Sequence, residues 1–125
     1  MDLFRYPVSL LSDSASVHEE TLLGELLESK DSVIDLWHTK CIRCPAALDR
    51  LDEEAMQHPE VQFIACALSL GVEGEVEKVQ QMTARWPHLR HLFLSEDSKE
   101  MMKERFAFSS VPFAFAVSKV TRISL

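Results

Sequence analysis

The sequence predicts an α/β domain in which a layered sheet carries helices on both faces. Three observations predict it. Short apolar runs rich in β-formers alternate along the chain with segments whose apolar residues fall at helical spacing. A chain of 125 residues is long enough for one substantial core and too short for two, so residues 1–125 are expected to form one domain. Apolar residues at 46% and charged residues at 26% are ordinary for a globular protein, and no repeat, low-complexity tract or linker interrupts the alternation.

The elements follow in order. Residues 7–12, PVSLLS, predict a short strand. Ser16 with Glu19 forms a capping-box pattern, and Leu22, Leu23, Leu26 and Leu27 share a helical face, which predicts a helix packed by one side onto the sheet. SVIDLW, 32–37, is apolar enough for a central strand covered on both faces. From Cys44 the pattern turns helical, with Leu48, Leu51 and Ala55 on one face, until Pro59 ends it. VQFIACAL, 61–68, predicts a second buried strand closed by a turn around Gly71 and Gly74. A helix over 75–86, with Val76, Val79 and Trp86, precedes Pro87 and a strand at 89–94. Asp97 and Glu100 offer an acidic capping box for the helix of Met101, Met102 and Phe106. VPFAFAV, 111–117, and VTRISL, 120–125, predict a terminal hairpin joined by Ser118-Lys119. The order is β-α-β-α-β-α-β-α-β-β.

Charge and patterning exclude several functions. A formal net charge of −7 argues against a nucleic-acid grip, which needs clustered Lys and Arg. No apolar run approaches the roughly 20 residues of a membrane helix, and the first residues lack a basic region followed by a long apolar stretch, so no membrane partner and a cytoplasmic address are expected. Three cysteines do not make a disulfide framework. In such a compartment a CxxC points to redox catalysis or a metal.

That CxxC is Cys41-Ile42-Arg43-Cys44, placed where a buried strand gives way to a helix, at the strand's carboxyl end. The positive helix end, Lys40 and Arg43 should favour the Cys41 thiolate, which makes Cys41 the natural nucleophile. Cys44, in the first helical turn, is near enough to close a disulfide with it and less exposed, so it is the natural resolving thiol. Pro45 is harmless in a first turn that has no acceptor for its missing N–H. Asp35 shares a strand face with Val33 and Trp37. Buried there, its carboxyl should be desolvated and titrate high, suiting it to exchange a proton with the resolving thiol; a strand-end Asp reaching water is the competing reading. A structural zinc site commonly takes four N or S ligands; Cys41, Cys44 and His38 offer three, and no second CxxC or HxxxH completes them. His38 otherwise reads as a solvated loop residue, Cys66 as core, the Met101–Phe108 group and Trp86 as packing, and EGEVEK as a solvated face.

VIDLWHTKCIRC resembles the active-site strand and motif of the thioredoxin superfamily, and FAFSSVP resembles that family's approach to its cis-proline. The resemblance covers nearly the whole chain. It implies the thioredoxin fold with a central mixed sheet, and a thiol-disulfide oxidoreductase acting on protein disulfides through a mixed disulfide of Cys41 resolved by Cys44. It further implies that Asp35 handles the proton, that the Val111-Pro112 bond is cis, and that Val111 lends its backbone to the substrate. Trp37, Lys40, Ile42, Arg43 and Pro112 would complete the substrate-contacting set. Neither a metal nor an organic cofactor is implied, and an upstream reductant is.

The chain also departs from ordinary thioredoxins. Lys40 stands where they carry a second tryptophan, Ile-Arg replaces Gly-Pro, and no lysine occurs at 61–68 beside the buried aspartate. Cys44 and Pro112 are 68 positions apart, room for an extra helix and strand at 75–94, which is similar to the tryparedoxin, nucleoredoxin and TlpA-like branches. The family's final helix is expected to be missing, since the sequence stops at Leu125. Apolar side chains among Phe113, Phe115, Val117 and Ile123 would then be partly exposed, and a homodimer through that uncovered sheet face, or a shortened chain, would explain them. A non-catalytic thioredoxin-like interaction or redox-sensing module is the alternative to the enzyme.

Overall fold

A computed structural model describes residues 7–11, 19–28 and 30–118. Six strands form one mixed sheet: β1 (Pro7–Leu10), β2 (Glu19–Leu22), β3 (Ser32–Trp37), β4 (Gln62–Leu68), β5 (Arg90–Leu94) and β6 (Phe113–Val117), in the spatial order β2-β1-β5-β4-β3-β6. The helices are α1 (Leu23–Leu27), α2 (Cys44–Gln57), α3 (Glu75–Met82) and α4 (Glu96–Phe106), with a 3₁₀ turn at Thr83–Arg85. β3, β4 and β5 run parallel, as crossover helices require, while β6 pairs antiparallel with β3 and β1 with both β2 and β5.

Alternation along the central strands creates two cores. Ile34 and Leu36 of β3, Ile64 and Cys66 of β4 and Leu92 of β5 face α1 and α4, meeting Leu23, Leu27 and Met102. Trp37 of β3 and Phe63, Ala65 and Ala67 of β4 face α2 and α3, meeting Leu48, Val79 and Trp86. Each fully buried Leu or Ile in these layers contributes about 1.5–3 kcal/mol relative to exposure. Because both faces are covered, the strands are largely apolar, with Asp35 the charged exception inside β3, and the small Ala65 and Ala67 leave room for α2 to approach.

The extra helix and strand at 75–94 are present as α3 and β5, and β5 enters the sheet between β4 and β1. Other expectations need correction. Glu19–Leu22, expected within the first helix, is a strand paired with Pro7–Leu10, and the helix described there is Leu23–Leu27. Leu22 is accordingly exposed while Leu23 and Leu27 are buried. The helix expected over 75–86 gives way to the 3₁₀ turn after Met82, and Trp86 lies beyond it. α4 is capped by Ser95, whose hydroxyl accepts from the Ser98 N–H at 3.4 Å, and not by Asp97.

The patch expected on β6 is present in part, since Phe113 and Phe115 remain partly exposed. Both pack against Phe106 of α4, and Val117 is buried, so the residues β6 exposes most are Ala114 and Ala116. Ile123 and the second strand of the terminal hairpin lie outside the described residues, as does Ser16. No helix among the described residues is long and apolar enough to cross a membrane.

Candidate functional site: the Cys41–Cys44 pair

The site forms where β3 ends. After Trp37 the chain turns through His38–Arg43, with the Cys41 N–H donating to the His38 carbonyl at 3.2 Å and the Cys44 N–H to the Cys41 carbonyl at 3.4 Å. α2 then starts at Cys44 with Pro45 in its first turn, as the missing proline donor permits. This tight turn brings the two cysteine Cα atoms to 5.4 Å, and their sulfurs are joined in a disulfide.

The bonded sulfurs are unequal. Cys44 is fully buried among Trp37, Leu48 and Trp86, whereas Cys41 is partly exposed at the rim of that core. Lys40, Ile42 and Arg43 are exposed around Cys41, Ile42 almost entirely so at 94%. From across the sheet comes the segment before β6, where the Val111–Pro112 peptide bond is cis and the Val111 carbonyl oxygen lies 3.6 Å from Cys41 Sγ. Trp37, expected to touch substrate, is instead fully buried and meets Trp86 edge to face, with centroids 5.6 Å apart. It holds the strand end from beneath.

Asp35 lies on the face of β3 that is covered by α2, the side on which Cys44 is buried. It is 4% exposed, and among the described residues its Oδ1 has no hydrogen-bond partner. Its register neighbours are Ala65 on β4 and Ala114 on β6, neither of which brings a charge. Desolvation therefore acts unopposed and pushes the carboxyl up to about 6. Cys66, the third cysteine, is buried on the opposite face, where burial pushes its thiol up to about 12, so it is core, as expected.

His38 departs from the solvated loop reading. It is half-buried, its Nδ1 accepts from the Lys40 N–H at 3.2 Å, and it lines a pocket of about 180 Å³ together with Val111 and the lysines Lys99 and Lys103 of α4. Lys99 Nζ donates to the Ser69 carbonyl at 2.7 Å, which ties α4 to the end of β4. The sequence reasoning missed both lysines. The available signal was their spacing of four, which puts them on one helix face. Among the described residues no cluster of three or more His, Cys, Asp or Glu side chains could hold a metal ion.

No protein-family model matches the sequence. No curated protein matches it either. Solved structures do. A thiol:disulfide interchange protein from Bacteroides sp. superposes with a TM-score of 0.69 at 13% identity, covering 93% of this chain and 73% of its own. The thioredoxin domain of a thiol-disulfide oxidoreductase from Bacteroides vulgatus gives 0.67 at 12% identity, over 95% and 83% of the two chains. A secreted disulfide oxidoreductase of Mycobacterium tuberculosis, homologous to E. coli DsbE, gives 0.63 at 20% identity, over 89% and 75%. The chain has the thioredoxin fold, with its CxxC at the end of a central strand.

Proposed function

We propose that this chain is a thiol-disulfide oxidoreductase that reduces or exchanges protein disulfides through Cys41 and Cys44. The observation that carries the reading is the asymmetry of the bonded pair: one sulfur partly exposed beside the Val111 carbonyl, the other fully buried at the start of α2. The named activities of its structural neighbours support it.

In the reduced protein the Cys41 thiolate, stabilised by the helix end and by Lys40 and Arg43, attacks one sulfur of the substrate disulfide, and the other leaves as a thiolate. Cys44 then gives its proton to Asp35 and attacks Cys41 Sγ. This releases the second substrate thiol and closes the Cys41–Cys44 disulfide. Two electrons pass from the dithiol to the substrate, and an external dithiol reductant restores them. Exposed Lys40, Ile42 and Arg43, with the Val111 backbone and Pro112, form the surface on which the substrate segment lies. In a cytoplasmic compartment the glutathione and thioredoxin pools would run the site in the reducing direction.

Insulin-disulfide reduction tests the reading. Wild type is expected to accelerate precipitation of the insulin B chain and Cys41→Ser to match the uncatalysed control, while Cys44→Ser should accumulate the mixed disulfide. Equal rates for wild type and Cys41→Ser would overturn the enzymatic assignment and leave the interaction module.

A further inference from the structure

Beside the dithiol lies a pocket with a charge opposite to that of the whole chain. It is bounded by His38, by Lys99 and Lys103 of α4 and by Ser109, Ser110 and Val111 of the segment before β6. Two of these walls touch the reacting cysteine: the His38 carbonyl accepts the Cys41 N–H, and the Val111 carbonyl oxygen lies 3.6 Å from Cys41 Sγ. We propose that this pocket binds a carboxylate carried next to the sulfur that Cys41 attacks, and so selects acidic disulfide substrates. The proposal rests on the oxidoreductase reading and names the substrate class of that site.

The pocket holds about 180 Å³, space for a carboxylate on a short methylene stem and too little for a folded segment. None of the described residues lining it is an Asp or Glu. Among the described residues the nearest acidic contact to its lysines is Glu100, 3.9 Å from Lys103 Nζ and well exposed, a separation at which solvent screens the pair. Lys99 is held in place by its bond to the Ser69 carbonyl. His38 adds a donor. Because Nδ1 accepts from the Lys40 N–H, the neutral ring carries its proton on Nε2. The ring is kept neutral by its burial and then by the positive charge of Lys99, which together hold it below the usual histidine range. The positive charge of Lys99 that disfavours a proton on His38 favours an anion in the same space. In a chain of net charge −7, such a cluster would draw an acidic substrate to this side of the dithiol.

The covalent step is unchanged: the reduced protein gives two electrons to the disulfide, becomes the Cys41–Cys44 disulfide and releases two thiols. The test uses the full chain, reduced with dithiothreitol and freed of it, in single-turnover reactions. The substrates are three small symmetric disulfides: dithiodipropionate, hydroxyethyl disulfide and cystamine. A disulfide-linked peptide with Glu or with Gln beside its cysteine provides a further pair. Wild type is expected to prefer the anionic member of each set. In Lys103→Gln, at a partly exposed position, the anionic-to-neutral rate ratio should fall by about fivefold, the scale of one partly solvated ion pair, and in Lys103→Glu it should fall further.

Selectivity on the peptide pair assigns the pocket to protein side chains, and selectivity confined to the small disulfides assigns it to a small oxidised thiol; both support the proposal. Ratios unmoved by either Lys103 substitution overturn it, as does a preference that disappears entirely in Lys40→Gln/Arg43→Gln. If wild type reduces none of these disulfides, the oxidoreductase reading falls; if it reduces all without regard to charge, only the pocket assignment falls.

Discussion

Asp35 on β3 stands directly opposite Ala114 on β6, and of the two only Asp35 is buried. Ala65 occupies the matching position on β4, so Asp35 is flanked on both neighbouring strands by alanine. A directly opposed antiparallel pair brings Cβ atoms to about 4.5–5.5 Å, within reach of a long side chain. A lysine can therefore be added at the exposed position 114 without burying its ammonium. Ala114→Lys is expected to bring the Asp35 carboxyl down from about 6 toward the ordinary carboxylate range. Carboxyl-detected NMR titration of wild type and variant reads this directly; an Asp35 midpoint that stays in place would contradict the cross-strand geometry.

The same burial links Asp35 to stability. Below pH 3.8 the group is protonated in both folded and unfolded chains and contributes nothing to the pH dependence. Between 3.8 and about 6 the unfolded chain loses this proton while the folded one keeps it, so stability falls as pH rises. Above about 6 the penalty is constant, up to about 3 kcal/mol. Asp35→Asn, which cannot ionise, is expected to be more stable than wild type at pH 8 and to lose that advantage at pH 4. Urea melts at the two pH values check it, and an advantage equal at both would refute the assignment.

Asp49 on α2 ties the outer layer together. Its carboxylate accepts from Trp86 Nε1 at 2.8 Å and from Arg85 Nε and Nη2 at 2.9 and 2.7 Å. Asp49→Ala would leave the buried Trp86 N–H without its acceptor, a loss of about 1–3 kcal/mol. Asp49→Asn keeps an oxygen at that position and should cost less. Thermal unfolding that ranked the two substitutions equally would mean that the Trp86 bond carries little of the energy.

The parts of the fold legible in the sequence are those whose burial is written into local composition. SVIDLW and QFIACAL read as strands because both faces are covered, and Asp35 could be singled out because a carboxylate inside such a run has few places to go. The EETL strand was not legible. Among the described residues it pairs only with Pro7–Leu10 at the sheet's outer edge, and its neighbouring leucines imitate a helical face. The resemblance placed Trp37 with the substrate contacts, but strand alternation turns it inward onto Trp86. The basic pocket was hidden for a different reason. Its walls come from His38, from α4 and from the segment before β6, elements that only the packed fold brings to one end of the sheet.

The inward turn of Trp37 has an optical consequence. Trp37 and Trp86 are the chain's two tryptophans, and both are packed in the cluster that contains Cys44 and borders Cys41. All indole emission from this protein therefore originates beside the disulfide, and sulfur in contact with an excited indole is an efficient quencher. Opening the Cys41–Cys44 bond changes the quencher, so the intensity of the native chain at a fixed wavelength is expected to follow its own oxidation state.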